Sequence, residues 1–200
     1  MNKPLFITGI GTGIGKTITS AVLVENLKAD YWKPIQSGDL DNSDTLSVQS
    51  LVTNTKSVFH PEAYRLTQPY SPHRSAALDG IEIDPSAIEI PQTDNTLIIE
   101  GAGGLMVPLN DTFLMIDLIQ QLDAEVILVV KHYLGSINHS LLSIEALKRR
   151  NIPIKALIFN GEPNGSSEQV IKSFAKCPFV YLPELEPITK ETVAGIKINL

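Results

Sequence analysis

The chain has 200 residues, 43% hydrophobic and 19% charged, a composition that fits a globular protein with its own core and excludes a disordered or collagen-like chain. Lys and Arg total 16 against 22 Asp and Glu, for a net charge of -6. The longest basic run, Lys148-Arg149-Arg150, closes a predicted helix and complements its dipole, so no nucleic-acid footprint is expected. The lone cysteine, Cys177, allows no internal disulfide and no cysteine-cluster zinc site. With an N-terminal apolar run too short for a signal peptide and no membrane span in sight, the expected compartment is the cytoplasm.

In chain order, residues 5–8 read as a buried strand and residues 17–27 as a helix, with Ile18, Ala21, Val22 and Val24 at helical spacings. Residues 31–35 read as a second short strand, 44–51 as a helix, and 97–99 as a third strand that ends at Glu100-Gly101-Ala102-Gly103-Gly104. A helix is expected over 113–122, then the clearest strand, 126–130, then the longest helix, 136–150. Strand 154–159, helix 167–174 and strand 179–182 follow, while 79–95, with Pro85 and Pro91, reads as connecting structure. Strands apolar on both faces and separated by helices imply an α/β fold. The expected form is a doubly wound, mostly parallel sheet with helices on both faces, built as a single domain over residues 1–200. The loops after Thr8, Ile35, Ile99, Val130 and Phe159 then gather at carboxyl ends of strands, where such sheets bind ligands.

The strongest local signal is Gly9-Ile10-Gly11-Thr12-Gly13-Ile14-Gly15-Lys16-Thr17, between a strand and a helix. Glycines let backbone N–H groups turn toward an anion, and the helix N-terminus adds a favourable dipole. Lys16 is placed to reach the β and γ phosphates and the Thr17 hydroxyl to bind Mg²⁺, so ATP with Mg²⁺ is expected. The gap between Gly9 and Gly15-Lys16 is five residues, against about four in the usual motif. A dinucleotide fingerprint fits less well, because its third glycine is missing at the right step. The bland alternative is a glycine-rich turn that binds no nucleotide. The histidines show no metal-ligand spacing, and Ser173-Phe174-Ala175-Lys176 matches a Ser-x-x-Lys pattern without its companion motifs.

This lengthened loop resembles that of the dethiobiotin synthetases, and further blocks follow in that family's order. Lys33-Pro34-Ile35-Gln36-Ser37-Gly38 is similar to its Lys-Pro-x-x-(Ser/Thr)-Gly block, and Asp44 follows it. Ser71-Pro72-His73, Glu100-Gly101-Ala102-Gly103-Gly104 and Leu134-Gly135-Ser136-Ile137-Asn138-His139 match others, so the likeness spans residues 5–184. Gly11 and Gly13 depart from it, standing where members often carry acidic residues, and the stretch before Leu97 is short for the family.

The resemblance implies an ATP-dependent cyclo-ligase of biotin biosynthesis, which joins 7,8-diaminopelargonic acid to CO₂ and closes a ureido ring. It implies catalytic roles for Lys16 and Lys33 beside the carbamate and γ-phosphate, with Mg²⁺ held by Thr17, Asp44 and Glu100. ATP is expected along the loop at Gly13, Ile14, Gly15, Lys16, Thr17 and Ile18, at Asp44, and at Glu100, Gly101, Ala102 and Gly103. Asn160 and Gly161 match the family's base-reading position, with Leu182-Pro183-Glu184 near the base. Thr12, Ser37 and Gly103 fall to the diamine. Gly135, Ser136, Ile137 and Asn138, at a helix start, receive the substrate's tail carboxylate across a homodimer interface.

Read without the resemblance, Asp44 is a helix cap, Ser136 an N-cap, Ser37 a turn serine and Lys33 a solvated strand-end lysine. Glu100 is the exception, since a carboxylate directly after a buried strand is costly unless something pairs with it. Two other classes stay open: a P-loop ATPase switch of the partitioning or cell-division type, and a nucleotide-binding module without catalysis. The switch type carries a second lysine early in the loop, and this chain has Gly11 there.

Overall fold

The computed structural model describes residues 3–200. Its main sheet has seven strands in the order β4-β2-β6-β1-β7-β8-β9. These are β1 (Leu5–Gly9), β2 (Asp30–Trp32), β4 (Phe59–His60), β6 (Leu97–Gly104), β7 (Glu125–Lys131), β8 (Ile154–Asn160) and β9 (Phe179–Leu182). A two-stranded sheet pairs β3 (Ile35–Ser37) with β5 (Tyr64–Leu66). Every strand pair in both sheets is parallel among the described residues. Parallel strands need crossovers, and helices supply them: α1 (Lys16–Leu27), α2 (Asp44–Leu51), α3 (Pro72–Leu78), α4 (Met115–Gln121), α5 (Ser136–Arg149) and α6 (Gly165–Ala175), while α7 (Lys190–Gly195) follows the last strand.

From β1 the chain crosses through α1 toward β2, and from β7 it crosses through α5 toward β8, in the opposite direction along the sheet. Right-handed crossovers in opposite directions place α1 and α5 on opposite faces, which is the doubly wound arrangement expected. Val126 to Val130 in β7 are all fully buried, as a central strand covered on both faces requires.

Three departures from the expected elements bear on the site. The predicted strand over 31–35 is broken after Trp32. Pro34 has no N–H to donate to a ladder, and the chain beyond it leaves the main sheet to pair with β5, where Tyr64 N–H donates to Pro34 O at 2.9 Å. Lys33 thus sits at a sheet exit. The third strand does not stop at Ile99 but runs on through Glu100 to Gly104, beside β1. Met115–Gln121 is shorter than the helix expected over 113–122, because Leu114 occupies the N-cap position. The stretch 79–95 is connecting structure apart from one 3₁₀ turn, Pro85–Ala87.

Candidate active site

The glycine-rich loop wraps the head of α1. Gly13 and Gly15 take left-handed backbone angles, φ 72° and 92°, and a side chain on Gly15 would meet Asn160 Nδ2 at 2.1 Å. Asn160, at the end of β8, donates that amide to Ile14 O at 2.8 Å. Lys16 is the first helical residue, one before the expected start. Its side chain folds back over the loop, and Nζ donates to Gly11 O at 3.3 Å. Burial lowers the Lys16 pKa, with Glu100 and Asp44 opposing and Lys33 adding to the fall.

Glu100 lies at the centre of the cluster and is only 1% exposed. Its Oε1 accepts from Thr17 Oγ1 at 3.0 Å, and its Oε2 from Ser20 Oγ at 2.7 Å and from the Tyr31 hydroxyl at 2.9 Å. Burial and then the Glu100 charge push the Tyr31 hydroxyl well above the ordinary tyrosine range. The single Thr17 hydroxyl proton is shared between Glu100 Oε1 and Asp44 Oδ1, the latter at 2.9 Å. Lys33 is 4% exposed, so it is not a solvated strand-end lysine. It forms ion pairs with Asp44 and, at 3.5 Å, with Glu100 Oε1. Burial alone would lower the Lys33 pKa, but Glu100 and Asp44 outweigh it and the net shift is upward. At Asp44 burial works upward, Lys33 outweighs it, and the carboxyl is held below its ordinary value.

Lys16, Thr17, Lys33, Asp44 and Glu100 wall a cavity of about 690 Å³, together with Thr12, Ser37 and Gly103. The Ser37 hydroxyl is buried without a hydrogen-bond partner. Gln36 was not anticipated here. It lines the cavity, accepts from Asp44 N–H at 3.3 Å and donates to Gly38 O at 2.9 Å. Ser71 and Pro72 also line it, whereas His73 faces a smaller cavity elsewhere.

The donor chemistry suits a hard divalent cation. Thr17 Oγ1 lies within 2.9 and 3.0 Å of carboxylate oxygens of Asp44 and Glu100, so three oxygens meet at one point. Among the described residues, no group of three or more His, Cys, Asp and Glu could hold a metal. Three protein oxygens leave the rest of a coordination shell to water and phosphate, the way Mg²⁺ is usually held.

Gly13, Gly15, Ile18 and Ala102 line the same cavity, whereas other expected residues lie apart from it. Gly101 is buried, and a side chain there would meet Phe6 at 2.7 Å. Gly161 N–H donates to Leu182 O at 2.9 Å, joining the ends of β8 and β9, and Glu184 lies 3.9 Å from Lys131. Gly135, Ser136, Ile137 and Asn138 line a different cavity, of about 840 Å³, with His132 and Asn164. Gly135, not Ser136, takes the N-cap position of α5, with φ 101°. Leu134 beside it is fully exposed, at 104%.

Comparison with known proteins covers almost the whole chain. A family model described as an AAA domain matches residues 3–192. The "ATP-dependent dethiobiotin synthetase BioD" of Christiangramia forsetii is 53% identical over 193 residues, covering 96% of this chain and 93% of the relative. The protein of the same name from Cytophaga hutchinsonii is 50% identical over 200 residues, covering 99% and 97%. Among solved structures, a ParA family ATPase from Chlorobium tepidum is similar in fold, with a TM-score of 0.58 at 15% identity, covering 96% of this chain and 89% of that one. A chain of the MinC:MinD cell division protein complex of Aquifex aeolicus has a TM-score of 0.55 at 16% identity, covering 96% and 86%. At such identities the likeness is one of fold alone.

Proposed function

The chain belongs to the ATP-dependent dethiobiotin synthetase family, and on that premise we propose that it closes the ureido ring of dethiobiotin from 7,8-diaminopelargonic acid, CO₂ and ATP. One amine of the substrate captures CO₂ as a carbamate and releases a proton. The carbamate oxygen attacks the γ-phosphorus and ADP leaves, giving a carbamic-phosphoric anhydride. The second amine attacks the anhydride carbon and expels phosphate.

None of these steps requires an amino-acid nucleophile. They require positioning and positive charge around the transferring phosphoryl group. The observation that carries the reading is the convergence of two buried lysines, Lys16 and Lys33, with Thr17, Asp44 and Glu100 on one cavity. Lys16 neutralises the β and γ phosphates. Lys33 turns from its carboxylate partners to the carbamate and γ-phosphate. Thr17, Asp44 and Glu100 would hold Mg²⁺, which neutralises phosphate charge when bound. The unpartnered Ser37 hydroxyl offers a hydrogen bond to the diamine. Thr12 and Gly103 border the same space.

The nucleotide runs along the loop, with its base toward Asn160, Gly161 and Leu182-Pro183-Glu184. The tail carboxylate of the substrate goes to Gly135-Ser136-Ile137-Asn138 of a second copy, because within one chain that helix start lines a separate cavity. We therefore read the enzyme as a homodimer of single catalytic domains, acting in the cytoplasm. No helix among the described residues is long and apolar enough to cross a membrane.

The test is phosphate release with ATP, Mg²⁺ and bicarbonate, with and without the diamine. The expected outcome is release that depends on the diamine, with dethiobiotin formed in step. Release indifferent to the diamine would instead favour an ATPase switch.

A further inference from the structure

A carboxylate as buried as Glu100 is costly unless its lone pairs are met, and the structure meets them unequally. Oε1 faces Thr17 Oγ1 and Lys33 Nζ, groups that line the cavity. Oε2 faces away, toward Ser20 and Tyr31, which do not line it.

Both donors are fully buried and arrive from different elements. Ser20 lies one turn beyond Lys16 and Thr17 on α1, on the helix face that meets β6. Tyr31 lies in β2, in register with Ile98 of β6. Ile98 and Glu100 share a face of their strand, so the Tyr31 ring runs along that face to the carboxylate. The Ser20 and Tyr31 hydroxyls each donate to Glu100. A tyrosine in the middle of a buried strand needs such an acceptor for its hydroxyl.

We infer that Ser20 and Tyr31 are positioning residues that saturate Glu100 Oε2 from behind and leave Oε1 as the only oxygen Glu100 offers to the divalent cation of the nucleotide. This rests on the reading of Thr17, Asp44 and Glu100 as the Mg²⁺ set. It adds a selectivity device. Ca²⁺ accepts two-oxygen carboxylates and high coordination numbers, whereas Mg²⁺ keeps a tight octahedron with few protein ligands. A glutamate pinned to one-oxygen contact favours the smaller ion. A carboxylate freed to swing both oxygens forward gives up part of that preference.

The test is calorimetric binding of ATP with Mg²⁺, with Ca²⁺ and with chelator alone, in the absence of diamine, for the wild type, Tyr31→Phe, Ser20→Ala and Glu100→Gln. The first two substitutions each remove one oxygen, and a thermal melt checks their folding. Each should weaken Mg·ATP binding by about 10- to 100-fold, as loss of groups that orient a metal ligand does. Ca·ATP should weaken less, and ATP alone should be unchanged. A folded variant that binds Mg·ATP like the wild type, or that loses all three forms equally, would overturn the inference, and either of the two substitutions is enough to do so. Glu100→Gln separates the metal site from its support. If it leaves Mg·ATP binding intact, the metal reading itself is wrong. If it weakens binding while Tyr31→Phe and Ser20→Ala do not, only the positioning role fails.

Discussion

At the head of α1, each charged side chain of the cavity has a partner from elsewhere in the same chain: Lys16 the loop, Lys33 both carboxylates, Asp44 and Glu100 the Thr17 hydroxyl. At the head of α5 the opposite holds. Leu134 stands fully in solvent, and Met106, Tyr133 and Leu142 are also exposed apolar residues. Met106 and Leu142 border a further cavity between the outer side of the glycine loop and α5. The first region is complete within one chain. The second has apolar surface left exposed among the described residues, and such surface marks an association site when contiguous. On the proposed reading, phosphate chemistry and tail recognition are built to different degrees of completeness, with a second copy supplying what one chain lacks.

The largest expected effects break the closed region. Lys33→Ala should retain Mg·ATP binding but lower ring closure by about 10²–10³-fold, the usual cost of removing one group that stabilises transition-state charge. Lys16→Ala should lose turnover to at least that extent and weaken nucleotide binding as well, because the loop loses its phosphate cation. Dethiobiotin formation by Lys33→Ala at the wild-type rate would mean that the Lys33 ion pairs are structural and the chemistry lies elsewhere.

The open region is probed by Leu134→Asp. The side chain is fully exposed among the described residues, so the melting temperature of the monomer should not change. Sedimentation should show a shift toward monomer. The KM for the diamine should rise by roughly tenfold, equivalent to about 1.4 kcal/mol, with the KM for ATP little changed. A dimer undisturbed by this charge would place the interface on another surface.

The two regions were also unequally legible in the sequence. The phosphate loop is written in consecutive residues, and its conformation depends on glycines at set positions, so it could be read directly. Lys33, Ser37, Asp44 and Glu100 were placed through family resemblance, and the structure does bring them to one cavity. Their supports were not legible. Tyr31 and Ser20 reach Glu100 across 69 and 80 residues of chain, and no local pattern encodes such a contact. Tyr31 looked like any aromatic of a β-rich run. The sheet exit at Lys33-Pro34 was missed because the apolar run continues through Ile35, and only the missing proline N–H forces the break. β4 and β5, with two and three residues, are too short to show a period, and their existence depends on the strands they pair with. At the head of α5 the glycine supplies the turn itself, so Ser136 was free to be buried as the first helical residue.

The smallest expected effect concerns why the closed region holds its shape. Glu25, on the last turns of α1, is 5% exposed. It accepts from Thr53 N–H at 2.7 Å and Asn54 N–H at 3.1 Å, just beyond α2, and from Lys28 Nζ at 2.9 Å. This ties the helix carrying Lys16 and Thr17 to the end of the helix carrying Asp44. Burial alone would raise the Glu25 pKa, but the Lys28 contact and the bonds from Thr53 and Asn54 outweigh it and bring it from 4.5 to about 2. A carboxyl whose folded pKa is depressed binds fewer protons than in the unfolded chain, so it stabilises the fold when ionised. That stabilisation is complete above pH 4.5 and drains away as pH falls toward about 2. Glu25→Gln should therefore cost about 1–3 kcal/mol at neutral pH, the range for upsetting a buried hydrogen-bonded group. Thermal melts of the two proteins should draw together between pH 4.5 and about 2. A gap that stays constant through that window would mean that the Glu25 charge contributes nothing and that shape alone joins α1 to α2. A gap that closes would tie the integrity of the half that carries Lys16, Thr17 and Asp44 to one carboxylate outside the cavity.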